Sequence, residues 1–406
     1  MSRTMVLFPG QGTQYVGMGK ALYENYPMIK RTFDEAEDIL NFSVKKLCFE
    51  GTSEHLNQTI NAQVAIVVLS VAAYRQFANM HEIKPDLMAG HSLGEYSALA
   101  CAGAASFEDI LKTVFYRAQI MDEISKSTNG AMLAVSFQAE HIDLIERECI
   151  ESRSKGGQIW IGAYNASDQL VLTGDKRDVL LMGEKLVGIG CKTALLHVSG
   201  AFHSPIMAEA EEKLKSRLTS IKWGLPFHKI LANVTGKEYT DSKLIPEYLA
   251  SQITKPVLWS KSIQHALQSD VTQIISVPPK NIFHRMIPQS EKHVQFFTIS
   301  RVEDFNNYQR VNLKELIARL LSVIVSTRNY NTDINEYNLK VIPAYRELEE
   351  MYHNEAGTDN SNSDYVFYVL ELFLNILKFK SIPLDNRRVI LQSINQAFNL
   401  NYEWDN

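Results

Sequence analysis

The sequence predicts an α/β protein with a parallel sheet, a small inserted subdomain of different strand order and a mostly helical C-terminal extension. Three observations carry this. Over the first 125 residues, short apolar runs alternate with longer helical patterns, as in a sheet covered by helices. Residues 130–197 read β-α-β-β-α-β, the ferredoxin-like order. From about residue 303 only helical periodicity remains.

Taken in order, residues 4–8 form a buried strand that turns at Pro9-Gly10, and residues 61–80 form a helix. Pro85-Asp86 opens a short strand, 87–89, that runs into Gly90; a helix follows over about 93–101. The inserted region holds the strand AMLAVSF, an acid-rich helix over 141–152, the strands QIWIGAYN and QLVLTG, a helix over 176–188 and the strand CKTALLHV. KILANVT and TQIISV return to the large sheet. Helices over 311–327 and 337–353 lead into a polar linker, 354–364, then the apolar helix YVFYVLELFLNILKF (365–379) and a last helix over 386–399. No internal repeat is present.

The 406 residues exceed one small core and fit at most three domains. With 45% apolar and 21% charged residues the chain has ordinary globular composition. A net charge of −5 gives no pull toward nucleic acid or anionic membrane, and no basic stripe suggests an RNA or DNA reader. The N-terminal apolar run is too short for a signal peptide, and nothing later reads as a membrane span. Cys48, Cys101, Cys149 and Cys191 are dispersed, without ligand spacing, so the reading is a cytoplasmic protein with neither disulfide framework nor metal site. Cys101 reads as a small buried hydrophobe.

Gly90-His91-Ser92-Leu93-Gly94 is a G-x-S-x-G pentapeptide between a strand and a helix. A sharp strand-to-helix turn pushes the Ser hydroxyl outward, and side chains at the glycine positions would clash. The following helix aims its N–H groups at the spot where an oxyanion would form. Alone the pentapeptide is weak, arising by chance in roughly one such chain in eight; its context strengthens it. Ser92 needs a base. His91 should point away from the hydroxyl, and the residues alone do not choose among the other histidines.

Four segments together resemble the malonyl-CoA:acyl-carrier-protein transacylase family: FPGQGTQYVGMG (8–19), AGHSLGEYSAL (89–99), YRAQIM (116–121) and VSGAFHSPIM (198–207). NASDQLVLTG (165–174) and QITKPVLW (252–259) agree, so the resemblance covers about residues 4–295. It implies an α/β-hydrolase-like catalytic subdomain over 1–127 and 198–302, a ferredoxin-like subdomain over 128–197 and a helical extension over 303–406. Ser92 matches the nucleophile and His203 the general base, with no triad carboxylate; the backbone carbonyl of Gln252 accepts the imidazole N–H. Gln11 and Leu93 match the two N–H groups of the oxyanion hole. Arg117 matches the partner of the malonyl carboxylate, where a guanidinium offers two parallel donors. Gln63 matches a pocket-lining position. Phe202 goes with malonyl rather than methylmalonyl, a preference of about 1–3 kcal/mol for one methyl.

The implied partners are malonyl-CoA and an acyl carrier protein or carrier domain, whose phosphopantetheine belongs to the carrier; no bound cofactor or metal is implied, and the enzyme would be a monomer. One departure is Ser276-Val277-Pro278-Pro279, where the family has a glycine turn. The larger one is residues 303–406. Such an extension resembles that of discrete, trans-acting transacylases of hybrid polyketide–peptide clusters, the iturin-type lipopeptide systems among them. The 365–379 helix is then expected to pack on the catalytic body or on a megasynthase segment. Three rivals stand beside this reading. An editing acyl hydrolase of the same fold would lack Arg117, a non-catalytic docking protein would not need Ser92 and His203, and a general serine esterase would carry a triad acid.

Overall fold

The computed structural model describes residues 3–288, 294–308, 313–354 and 363–398. The chain divides into two compact units: one is Thr4–Lys292 with Phe296–Val302, the other Met1–Arg3, His293–Gln295 and Glu303–Asn406.

The large sheet consists of β1 (Arg3–Phe8), β2 (Leu87–Gly90), β7 (Lys229–Ala232), β8 (Lys237–Glu238), β9 (Val271–Ser276) and β10 (Gln295–Thr298). Their spatial order is β10-β9-β1-β2-β7-β8. β1, β2 and β7 run parallel, with Phe8 opposite Gly90 and Ala89 opposite Leu231. β2 is buried at every position, as expected of a parallel strand covered on both faces.

The helix predicted over 61–80 spans Thr59–His81, and from Ala62 to Tyr74 every residue is buried. It corrects one reading of the sequence, because by length and composition it could cross a membrane. However, 78% of that window is buried within the fold, as in a core helix.

Between the halves of the large sheet come β3 (Gly130–Ser136), β4 (Ile159–Ala166), β5 (Gln169–Asp175) and β6 (Lys192–Leu195). They form an antiparallel sheet of order β4-β5-β3-β6 with the helices Ile142–Ser154 and Lys176–Gly188, which is the ferredoxin-like arrangement. Its core includes Leu133, Val135, Ile145, Leu172 and Val179. β4 is stitched to the segment that follows Gln252, since Val257 N–H donates to the Gly162 carbonyl and Tyr164 N–H to that of Val257, each at 2.9 Å.

The second unit is helical, with Leu313–Ser326, Ile342–Asn354, Ser363–Phe379 and Leu384–Phe398 as its longer elements. Most of the polar linker, residues 355–362, lies outside the described residues, as do 311, 312 and 399 at the ends of predicted helices. Here the structure corrects the expectation for the 365–379 helix. Its apolar face (Val366, Val369, Leu370, Phe373, Leu374 and Leu377) is buried in a core shared with Leu316, Leu320, Ile324 and Leu348 of the same unit. That face is occupied by neighbouring helices.

Candidate active site

The register of β1 and β2 brings two loops out side by side. Phe8 and Gly90 are opposed at the ends of their strands, and His91 N–H donates to the Phe8 carbonyl at 3.0 Å. The loop after β1 (Pro9–Gly12) therefore lies against the turn carrying Ser92. A Cβ on Gly10 would come within 2.5 Å of the His91 carbonyl. One on Gly90 would meet the Gly94 backbone at 1.8 Å, and one on Gly94 the Phe8 carbonyl at 2.0 Å. All three glycines are thus required by close backbone approach.

Ser92 itself has φ 51, a left-handed conformation that side chains rarely adopt and that marks a strained nucleophile turn. Asn233, just after β7, holds the turn from below: its Oδ1 accepts Ser92 N–H at 2.7 Å and its Nδ2 donates to the Gly90 carbonyl at 2.7 Å. Among the described residues, nothing accepts a hydrogen bond from the backbone N–H of Gln11 or Leu93. Two unmatched donors beside the partly buried Ser92 hydroxyl can receive an oxyanion.

His203, also at positive φ (60), sits in a loop held from the small sheet, where Thr173 Oγ1 donates to the Phe202 carbonyl at 2.7 Å. Its Nε2 is 2.8 Å from Ser92 Oγ and its Nδ1 is 2.7 Å from the Gln252 carbonyl. A carbonyl only accepts, so Nδ1 carries the proton and Nε2 offers its lone pair to the hydroxyl. Burial pushes the imidazole down to about 3, so His203 is neutral and competent as a base at physiological pH. His91 turns away, with Nε2 2.9 Å from Asn165 Oδ1 and its ring against Trp259.

Arg117 is 1% exposed on the Phe107–Ser127 helix. Its Nη1 donates to Gln63 Oε1 at 2.7 Å and its Nη2 approaches Gln252 Oε1 at 3.5 Å, while the guanidinium lies 5.5 Å from the centre of the Tyr96 ring. Nε has no hydrogen-bond partner, and no carboxylate forms an ion pair with Arg117 among the described residues. A buried cation with spare donors is matched to an anionic ligand. Gln63 in turn donates to Gln11 Oε1 at 3.3 Å, linking the guanidinium to the loop after β1. Phe202 is buried, its ring against Gly200. A groove of about 390 Å³ reaches His203 and is lined by Arg153, Trp160, Tyr164 and Lys255 among others.

Three residues were missed by sequence reasoning. Glu95, 1% exposed, accepts from Tyr239 Oη at 2.5 Å, from Gln252 Nε2 at 2.6 Å and from Asn233 N–H at 3.3 Å. Glu95, Asn233 and Tyr239 come from separate elements, and the available signal was a carboxylate inside the buried helix Gly94–Cys101, where it is the one charged residue. Among the described residues no group of three His, Cys, Asp or Glu could hold a metal ion.

The acyl transferase domain family matches residues 5–312. A malonyl CoA-acyl carrier protein transacylase of Bacillus subtilis is 32% identical over 358 residues, 86% of this chain and 89% of the relative, so the match extends into the helical extension. Another, from Bacillus subtilis strain 168, is 37% identical over 305 residues, 75% of this chain and 95% of the relative. A solved type II polyketide acyl-carrier protein in complex with its malonyl-transacylase offers a chain 30% identical with TM-score 0.72, covering 75% of this chain and 98% of that one.

Proposed function

We propose that this chain, which belongs to the malonyl CoA-acyl carrier protein transacylase family, moves malonyl from coenzyme A to a carrier-protein thiol through an ester on Ser92. In the first half-reaction Ser92 Oγ attacks the thioester carbonyl while His203 Nε2 takes its proton. The oxyanion rests on the N–H groups of Gln11 and Leu93. The Gln252 carbonyl stabilises the imidazolium by accepting a hydrogen bond from its Nδ1–H. Coenzyme A leaves as the thiol, taking the proton from His203. In the second half, His203 deprotonates the phosphopantetheine thiol of the carrier, the thiolate attacks the malonyl ester, and Ser92 Oγ leaves with the proton returned by His203 Nε2. The chemistry uses the Ser92 and His203 side chains, the backbone groups of Gln11, Leu93 and Gln252, a malonyl thioester and a carrier thiol.

The observation that carries the reading is Arg117, a buried guanidinium with spare donors, bonded to the same Gln252 that receives His203. It fits the free carboxylate of a malonyl thioester. An editing hydrolase or a general esterase has no use for it. Phe202 is assigned to discrimination against a substituted C2. We further assign the enzyme to service in trans, loading the carrier domains of a polyketide or lipopeptide synthase as a monomer in the cytoplasm. Support for this comes from the helical extension, shared at least in part with one Bacillus subtilis relative.

The test is mass spectrometry after brief incubation with malonyl-, methylmalonyl- or acetyl-CoA. A malonyl adduct on Ser92 that passes to added holo-carrier, and is absent in Ser92→Ala, is the expected result. An acetyl adduct that hydrolyses, indifferent to Arg117→Ala, would make the chain an editing hydrolase. For the trans assignment, loading of an excised synthase carrier domain is compared with that of a free fatty-acid carrier. Equal loading would remove it.

A further inference from the structure

Glu95 has the highest stakes of any buried group the mechanism leaves unused. It lies on the first turn of the helix that follows Ser92, and its two oxygens accept from the Tyr239 hydroxyl and from two donor-only groups, Asn233 N–H and Gln252 Nε2. A carboxylate accepts from all three, whereas the O–H of a carboxylic acid would find an acceptor only in the Tyr239 hydroxyl, which would then have to turn its own proton away. Two of these donors then lead to the reacting atoms. Asn233 holds Ser92 N–H and the Gly90 carbonyl. Gln252 Nε2 also donates to the Ser92 carbonyl at 3.0 Å, and its backbone carbonyl receives His203 Nδ1. The Gln252 amide is oriented from both ends, with its oxygen toward the donor-only Arg117 and its nitrogen toward the acceptor-only Glu95.

We propose that Glu95 is a positioning residue, whose ionised carboxylate fixes the acceptor of His203 and the turn of Ser92 through Gln252 and Asn233, so that protonating it slows acylation. Glu95 touches neither substrate nor reacting atoms and acts only through these two residues. The charged and titratable groups facing it are Arg117 from the Phe107–Ser127 helix and Tyr239 beyond β8, the latter with its ring tilted against that of Tyr248. Tyr96 adjoins it on its own helix, and His203 is one link away across Gln252. Burial pushes Glu95 up to about 7, against the lowering effect of Tyr239, Gln252, Asn233 and Arg117. His203 is held down at about 3. An acid limb near neutrality therefore belongs to Glu95 and not to the base.

The proposal rests on the transacylase reading, and single-turnover acylation of the full chain by malonyl-CoA, followed from pH 5 to 9, separates the two. If the wild type gains no acyl group on Ser92, the transacylase reading fails. If it does, its rate is expected to fall as pH drops through about 7. Glu95→Gln is expected to be slower by about 100-fold at pH 8, the low end of what a positioned base contributes, with KM for malonyl-CoA unchanged and the limb lost. Tyr239→Phe removes a donor that stabilises the charge, so the limb moves to higher pH while the plateau rate is kept. A wild-type rate flat from pH 5 to 8 would overturn the proposal. So would Glu95→Gln with the wild-type profile, and if that variant does not fold, an unmoved limb in Tyr239→Phe does the same.

Discussion

The two units of the chain bury different things. In the Thr4–Lys292 body, Gln63, Glu95, Arg117, His203, Asn233 and Gln252 are all within 6% of complete burial and bonded into one network around Ser92. In the helical unit the buried cluster is aliphatic and aromatic, and Lys380 is the one buried charge among the described residues. Polar groups are costly to bury and persist where each satisfies another. An apolar core asks only for volume and shape. The body has accepted a cost that only a reaction explains, whereas the extension is built as any stable helical domain is built. Substitutions in the first should therefore change rates, and those in the second stability.

The largest effect is expected at the pair itself. His203→Ala should lower the rate of Ser92 acylation by about 10⁴-fold or more, as loss of a base that works as a unit with its nucleophile does. It should also change acid sensitivity. With His203 at about 3 when folded against 6.5 in the unfolded chain, the stability it contributes is present above 6.5 and lost as pH falls through about 3. That is worth roughly 5 kcal/mol. Glu95 runs the opposite way, its contribution present below 4.5 and lost as pH rises through about 7. Thermal melts between pH 3 and 6 should show His203→Ala resisting acid better than the wild type. Equal acid sensitivity would mean the imidazole is not held neutral by burial.

Next comes Arg117→Ala, expected to cost malonyl transfer about 10²–10³-fold while acetyl transfer changes little, because an ionic pairing is lost rather than the chemistry. Competition between malonyl-CoA and acetyl-CoA for Ser92 measures this. Parallel loss of both substrates would place Arg117 among the residues that hold the fold of the site.

Much of this contrast was legible in the sequence, for reasons that differ by residue. The Ser92 turn shows because steric demands force glycine at two fixed spacings, and Gly10 because backbone meets backbone. His203 needed the AFHS context, since the residues alone left several histidines open. Glu95, Asn233 and Tyr239 escaped because their link is three-dimensional; one lies on a helix and two beyond strands some 140 residues later, with no local pattern joining them. The 365–379 helix shows the complementary limit. Its periodicity marked an apolar face, but not which neighbours would cover it.

Within that helix, Phe373→Ala removes a fully buried ring from the extension's core and should cost about 3–5 kcal/mol of that unit's stability. Ser92 acylation at 25 °C should stay within twofold. A larger loss of acylation would show that the two units communicate and that the extension contributes to the reaction.

The smallest expected effect sits at Lys380, where the helical unit most resembles the body. Its Nζ donates to the Ile324 carbonyl at 2.6 Å and to that of Thr327 at 2.5 Å, closing the end of the Leu313–Ser326 helix where carbonyls have no partner within the helix. Burial lowers its pKa from the ordinary lysine value. Here a buried charge serves structure alone. Lys380→Met keeps most of the apolar stem and removes the donors, so the loss should be about 1–2 kcal/mol, the cost of leaving buried acceptors unmatched. It should appear in a denaturant melt as an earlier transition of the helical unit, with acylation and carrier transfer unchanged. If Lys380→Met instead altered transfer to the carrier while leaving acylation intact, the extension would be reading the carrier, and its buried charge would belong to function after all.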